Sequence, residues 1–214
     1  MSGADERHGE PAYDPDAWER HYREHGAGHG PHATPNARVQ AVAAAMSPGR
    51  ALDAGCGSGA DARWLAAQGW QVTAVDVSPT VLAHARAQDL AAAAAGRLRW
   101  VEADLRAWHA GDQTFDLVSS QYVHVPGGMV TVVDALACAV APGGTLLVVG
   151  HHRDDPTSRD RGPEAAIDAD GLAASLDPGS WEVVAAGTVT RAATEPDGEA
   201  VTALDEVLHA VRRG

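Results

Sequence analysis

The stretch Ala51-Leu52-Asp53-Ala54-Gly55-Cys56-Gly57-Ser58-Gly59, followed by a helical run and then by Val72-Thr73-Ala74-Val75-Asp76, constrains the fold more than any other part of the chain. It reads as strand, glycine loop, helix, strand. Three glycines at alternate positions let the backbone turn sharply and approach a ligand with no side chain in the way. The segment from Asp61 to Gln68 places Ala62, Leu65 and Ala66 on one helical face and stops at Gly69, which suits a helix C-terminus. The second strand ends in Asp76, an acid about 20 residues beyond the loop, at the strand edge where dinucleotide-type folds grip ribose hydroxyls. Such a unit predicts a nucleoside-like cofactor.

The glycine spacing bears on which one. A pyrophosphate needs close approach of the helix N-terminus, which the third glycine of G-x-G-x-x-G permits, whereas this chain has G-x-G-x-G. Asp53, just ahead of the loop, puts a carboxylate where a phosphate binder keeps negative charge away, so the expected ligand carries a cation there. S-adenosylmethionine, with its sulfonium and ammonium groups, fits. Leu52 to Gly59 resembles the first motif of class I S-adenosylmethionine-dependent methyltransferases, and Val75-Asp76-Val77-Ser78 resembles their second. By that resemblance Asp53, Gly55, Gly57, Asp76 and Val77 are cofactor-binding.

Composition narrows the alternatives. A chain of 214 residues, 45% of them hydrophobic, supports one domain with a substantial core. Its two cysteines, Cys56 and Cys138, make neither a disulfide framework nor a thiolate metal cage, so a reducing cytoplasm is expected. No stretch approaches the roughly 20 apolar residues of a membrane span, and the N-terminus lacks the order of a signal peptide. The formal net charge of −13, with no basic strip, argues against a nucleic-acid partner. All 16 basic residues are arginine, which removes mechanisms that need a Schiff-base or P-loop lysine or a Tyr-Lys relay.

The first residues, Met1 to about Pro11, are polar and charged and are expected to be disordered. Asp14-Pro15-Asp16 reads as a helix start, and Trp18 and Tyr22 fall four apart on one face of the helix to Glu24. This segment resembles the N-terminal helix that covers the cofactor in the group of thiopurine and tellurite-resistance methyltransferases, and Trp18 and Tyr22 are then cofactor-facing. The alternative is an amphipathic helix packed on the domain edge. In the glycine-rich stretch beyond it, His21, His25, His29 and His32 crowd together. They read as a flexible polar loop or, less simply, as ligands to a metal, and no metal residue is assigned.

An alanine-rich helix from Val39 to Met46 precedes the first strand, and Ser78-Pro79 starts another, expected to run to about Ala95. Leu98 to Ala103 is the third strand. Asp104 follows it, and by resemblance Asp104 and Leu105 receive the adenine. Phe115 to Ser119 is the fourth strand, after which Ser120-Gln121-Tyr122-Val123-His124 leaves the sheet at its ligand-binding edge, with Gln121 on the cofactor side. A helix from about Gly128 to Val140 and the turn Ala141-Pro142-Gly143-Gly144, which also resembles the class, lead into a fifth strand from Thr145 to Val149. His151 and His152 come next, facing either the pocket or bulk water, and by period-two alternation they point to opposite sides if the strand persists through them. Leu172 to Leu176 reads as a short helix, Trp181 to Ala186 as a strand, and Glu199 to Arg212 as a final strand whose Val207 to Val211 part is also compatible with a helix.

The expected fold is therefore α/β, a Rossmann-like seven-stranded mostly parallel sheet with helices on both faces and the last strand antiparallel. Residues 1–35 form a flexible segment and lid helix, and 36–214 the catalytic domain. The expected activity moves a methyl group from S-adenosylmethionine to a sulfur, oxygen, nitrogen or chalcogenide nucleophile of a small-molecule acceptor. His124, His151 and His152 are the candidate catalytic bases. A nicotinamide oxidoreductase and a non-catalytic cofactor-binding or metal-sensing module are the rival classes.

Overall fold

The computed structural model describes residues 13–26, 34–88, 96–194 and 198–214. The tail to Pro11, the loop histidines His29 and His32, most of the Gly26 to Gly30 hinge and the helical end toward Ala95 lie outside the described residues. Within them the order is α1 (Pro15–His25), α2 (Ala37–Ala44), β1 (Arg50–Ala54), α3 (Ala60–Ala67), β2 (Gln71–Asp76), α4 (Pro79–Ala87), β3 (Leu98–Glu102), β4 (Phe115–Gln121), α5 (Val133–Cys138), β5 (Val140–His151), α6 (Ala169–Ser175), β6 (Trp181–Thr194) and β7 (Ala200–Arg212).

The seven strands form one sheet in the order β3-β2-β1-β4-β5-β7-β6. β1 to β5 pair in parallel, and β7 lies antiparallel to both its neighbours. The central strands are near-continuous apolar runs because both faces are covered. One face packs Val39, Leu65, Trp70 and Leu117 with α2 and α3. The other buries Phe115, Leu136, Leu146, Leu172 and Leu208 with α5 and α6. The order reverses between β1 and β4, so the carboxyl ends of those strands open a crevice there.

Several elements differ from the sequence reading. The helix expected from Gly128 is interrupted: a 3₁₀ turn at Met129–Thr131 is separated from α5 by Val132 at φ −121°. Four successive β-branched residues, Val130 to Val133, disfavour a continuous helix there. β5 begins at Val140, and the Pro-Gly-Gly sequence is a bulge within it, with a register shift against β4 between Phe115 and Leu117. β6 runs to Thr194, well past Ala186, because its outer half is an exposed hairpin arm defined by pairing with β7 rather than by apolar content. Val207 to Val211 is strand, hydrogen-bonded to β5 and β6 at once.

Candidate active site

The glycine loop joins β1 to α3 and takes the left-handed conformations the sequence allows, with Gly55 at φ +76°, Gly57 at +51° and Gly59 at +77°. A Cβ at Gly55 would lie 2.1 Å from Val123 Cγ2, so the absence of a side chain is what lets the loop pass under the segment leaving β4. The amides of Gly55 and Cys56 donate to Val75 O at 2.8 and 2.9 Å. Asp76 closes the loop from the next strand: its Oδ2 accepts from Gly57 N at 2.8 Å and its Oδ1 from Ser78 N at 3.0 Å. Burial pushes the Asp76 carboxyl up, and the N–H groups of Ser78, Gly57 and Val77 oppose that shift.

Beneath the loop, Asp53 is 2% exposed, and its Oδ2 has no hydrogen-bond partner among the described residues. Burial raises its pKa well above the usual carboxylate range, with Asp61 adding to the shift. Neither polar atom of the Gln121 amide has a protein partner among the described residues. A buried carboxylate with one unpartnered oxygen, and an unpartnered amide, suit a ligand that brings its own ammonium and hydrogen-bonding groups. On that ground the residues present fit S-adenosylmethionine.

Helix α1 lies over the crevice. Asp14 caps it, accepting from Ala17 N at 2.8 Å, with Pro15 in the first turn. Trp18 Nε1 donates to His124 O at 3.0 Å, and the Tyr13 hydroxyl donates to Arg161 O, so α1 is tied to the segments leaving β4 and β5. On its other side Glu19 accepts from Ser78 Oγ at 2.6 Å, Thr80 Oγ1 at 2.5 Å and Thr80 N at 3.3 Å, at the start of α4. These hydrogen bonds hold the Glu19 carboxyl below its usual range. The sequence carried no signal for Glu19, since a glutamate on a polar helix face has many uses.

Trp18, Tyr22, Gly55, Asp76, Val77, Asp104, Leu105 and His124 meet around one cleft enclosing about 540 Å³, open solvent at its mouth included. Asp53, Gly57, Gln121, His151 and His152 do not line it, although Gly57 touches it through Asp76 and a Cβ there would come within 3.5 Å of the Tyr22 hydroxyl. Asp104 is engaged by Arg106, whose Nη2 donates to Oδ2 at 2.7 Å and whose Nε and backbone N reach Oδ1 at 3.2 and 2.9 Å. The Arg106 side chain holds Asp104 below the usual carboxylate range. Arg106 lines the cleft and was not expected from sequence, being one arginine in an irregular turn.

The three expected catalytic histidines have different surroundings. His124 is buried in the cleft wall, 5.0 Å by ring centroid from Tyr13 and 6.0 Å from Trp18. His151 is buried behind it, its ring 5.6 Å from His124 and 4.9 Å from Tyr122. His152, one residue beyond the end of β5, has other partners: its Nδ1 accepts from Asp154 N at 3.0 Å, and its Nε2 is 3.9 Å from Glu206.

A family model described as a methyltransferase domain matches residues 51–144, from the first strand through the Pro-Gly-Gly bulge. The chain is thus similar to class I S-adenosylmethionine-dependent methyltransferases. The chain is 36% identical to the trans-aconitate 2-methyltransferase of Streptomyces avermitilis over 154 residues, which cover 70% of the chain and 55% of that protein. The chain thus spans about half the length of the curated relatives it matches. Among solved structures, the fold superposes with a TM-score of 0.71 at 20% identity on a chain from work on the conversion of a disulfide bond into a thioacetal group during echinomycin biosynthesis, covering 93% of this chain and 92% of that one. TehB from Haemophilus influenzae gives 0.64 at 16% identity, covering 92% of this chain and 67% of TehB. Structures of this fold have been solved in complex with S-adenosylmethionine.

Proposed function

We propose that this protein transfers a methyl group from S-adenosylmethionine to a nucleophilic atom of a small-molecule acceptor. The observation that carries the reading is the cleft itself, where Asp76 and Asp104 stand at the ends of adjacent strands beside a glycine loop and beneath an aromatic helix. Asp76 would hold the ribose diol, Asp104 and the Leu105 backbone the adenine, with Val77 against the ring. Asp53, Gly55, Gly57 and Gln121 would hold the amino-acid end. When bound, the cofactor supplies a methyl carbon on a cationic sulfur, whose charge disperses as transfer proceeds.

The protein's part is to position and to exclude water. Trp18 and Tyr22 present aromatic faces that attract a sulfonium, and α1, fastened on both sides of the crevice, keeps bulk water out of the transfer path. Residues up to about 35 then serve as the lid segment and the remainder as the catalytic domain. A small acceptor suits the narrow cleft, the formal charge of −13 and the trans-aconitate-methylating relative. The unpaired Cys56 and Cys138 suit a cytoplasmic setting. No helix among the described residues is long and apolar enough to cross a membrane.

Calorimetric titration with S-adenosylmethionine should give saturable binding, and with nicotinamide dinucleotides none. A screen of thiols, catechols, amines and oxyanions, read as S-adenosylhomocysteine release, should find an acceptor. Tight cofactor binding with no release from any class would refute the enzyme and leave a binding module.

A further inference from the structure

At the opposite edge of the sheet from the cofactor cleft, the amino ends of β1, β2 and β3 stand side by side. Arg50 is in register with Gln71 and Thr73 with Arg99, while Val72 N donates to Arg97 O at 2.7 Å. About 13 Å of strand separates Arg50 from Ala54, where β1 enters the glycine loop. Between these strand ends and the start of β4 is a hollow enclosing about 560 Å³, open solvent at its mouth included. Arg50, Arg97 and Arg99 line it, together with Gln71, Thr73 and Gln113. No carboxylate lines it among the described residues. The sequence has 29 acids against 16 arginines and no lysine, so an acid-free hollow with three guanidiniums runs against the average charge of the molecule.

Parallel pairing is what gathers these arginines, which lie far apart in sequence. Residues in register share a face of the sheet, and so do residues two apart along one strand. Arg50, Gln71, Thr73, Arg99 and Arg97 therefore occupy one side. With strands about 4.8 Å apart, Arg50 and Arg99 are rooted about 10 to 12 Å from one another, a gap that two arginine side chains bridge onto one ligand. Arg50 is oriented by Phe115: its Cζ lies 5.4 Å from the ring centroid, a contact that holds the head group without neutralising it. Asp116, next to Phe115, accepts from the Arg50 backbone N at 2.7 Å and does not line the hollow. Neither the Arg50 nor the Arg99 guanidinium has a hydrogen-bond acceptor or ion-pair partner among the described residues.

We propose that this hollow binds a small metabolite carrying a terminal phosphate or diphosphate, at the same time as and apart from the cofactor. The planar fork of a guanidinium matches phosphoryl oxygens two at a time. Three such forks beside two amides and a hydroxyl offer more donors than one carboxylate can accept, which favours a group with several oxygens on one atom. Dinucleotides, whose phosphates are esterified on both sides and carry less charge, fall outside this class. A nucleic acid is disfavoured for a different reason. Its phosphates beyond the hollow would meet the acidic remainder of a chain with formal charge −13, whereas a small anion stays within the arginines.

Calorimetric titration of the full chain with sodium pyrophosphate, at low ionic strength and without divalent cations, tests the site. It should show one saturable site per chain, weakening as salt is added because charges at an exposed site are screened. Arg50→Gln and Arg99→Gln should each weaken binding about tenfold or more, as loss of a charge-assisted hydrogen bond does. Arg99 is exposed, so Arg99→Gln decides the matter if loss of the Phe115 contact unfolds Arg50→Gln. Saturating S-adenosylmethionine should leave the pyrophosphate affinity unchanged, and so should Arg106→Gln, which removes an arginine from the cofactor cleft. Absence of saturable binding overturns the proposal. Binding that survives Arg99→Gln, or that is lost with Arg106→Gln or on adding cofactor, puts the anion elsewhere and overturns it too. Citrate bound as tightly as pyrophosphate refutes the phosphate class, and an oligouridylate bound more tightly than pyrophosphate refutes the small-molecule assignment.

Discussion

Replacing Gly55 with alanine tests whether the cofactor loop and the segment beyond β4 form one packed unit. Two costs separate cleanly. The residue sits at φ +76°, where a Cβ meets the following carbonyl, at about 1 to 2 kcal/mol. The new Cβ would also stand 2.1 Å from Val123 Cγ2, against an ordinary separation of about 3.5 to 4.0 Å, so roughly 1.5 Å of displacement is required. Overpacking of that kind costs about 1 to 3 kcal/mol, for a total of about 2 to 5 kcal/mol. Urea unfolding of Gly55→Ala, Val123→Ala and the double variant measures the split. With Val123 truncated, Gly55→Ala should cost only the backbone share, giving a coupling of about 1 to 3 kcal/mol. Cofactor affinity should recover in the same order. A coupling near zero would mean that Val123 does not rest on the loop, and that the glycine is needed for its φ alone.

Other consequences are as direct. Asp76→Ala should raise the cofactor Kd about tenfold or more, from a lost hydrogen bond to a charged group worth about 1.5 to 3 kcal/mol, and an unchanged Kd in a folded variant would remove Asp76 from the site. Glu19→Ala breaks the clasp to Ser78 and Thr80. It should leave the unfolding midpoint nearly unchanged, speed tryptic cleavage at Arg20 and Arg23, and weaken cofactor binding; cleavage at the wild-type rate would show that α1 is held without it. Asp61, lifted to about 6 by burial, gives a pH test with a definite sign. Its folded pKa exceeds its unfolded value, so its contribution is full below about pH 4 and is lost as pH rises through about 6. Stability should therefore fall from pH 4 to pH 7 by up to about 3 kcal/mol from this group, and Asp61→Asn should flatten the profile; a pH 4 to pH 7 difference in unfolding free energy from urea series that is the same in Asp61→Asn as in the wild type would refute the assignment.

What the sequence determined by itself was whatever local backbone chemistry forces. Alternate glycines after a short apolar strand dictate a left-handed loop, an acid at the end of the next strand must stand beside it, and apolar runs with turn signals between them predict a buried parallel sheet. The cofactor class followed from the same stretch. The tertiary structure decided what depends on partners distant in the chain. β6 extends to Thr194 only because β7 offers a ladder, and the Pro-Gly-Gly sequence becomes a bulge because β4 is its neighbour. Glu19 becomes a clasp, Arg106 the partner of Asp104, and Asp155 the hydrogen-bond partner of His151 through contacts that spacing along the chain does not encode. An isolated carboxylate has no preferred role in sequence; its donors, its burial and the ring it faces assign one, and those are fixed only when β4, β5 and β7 come together.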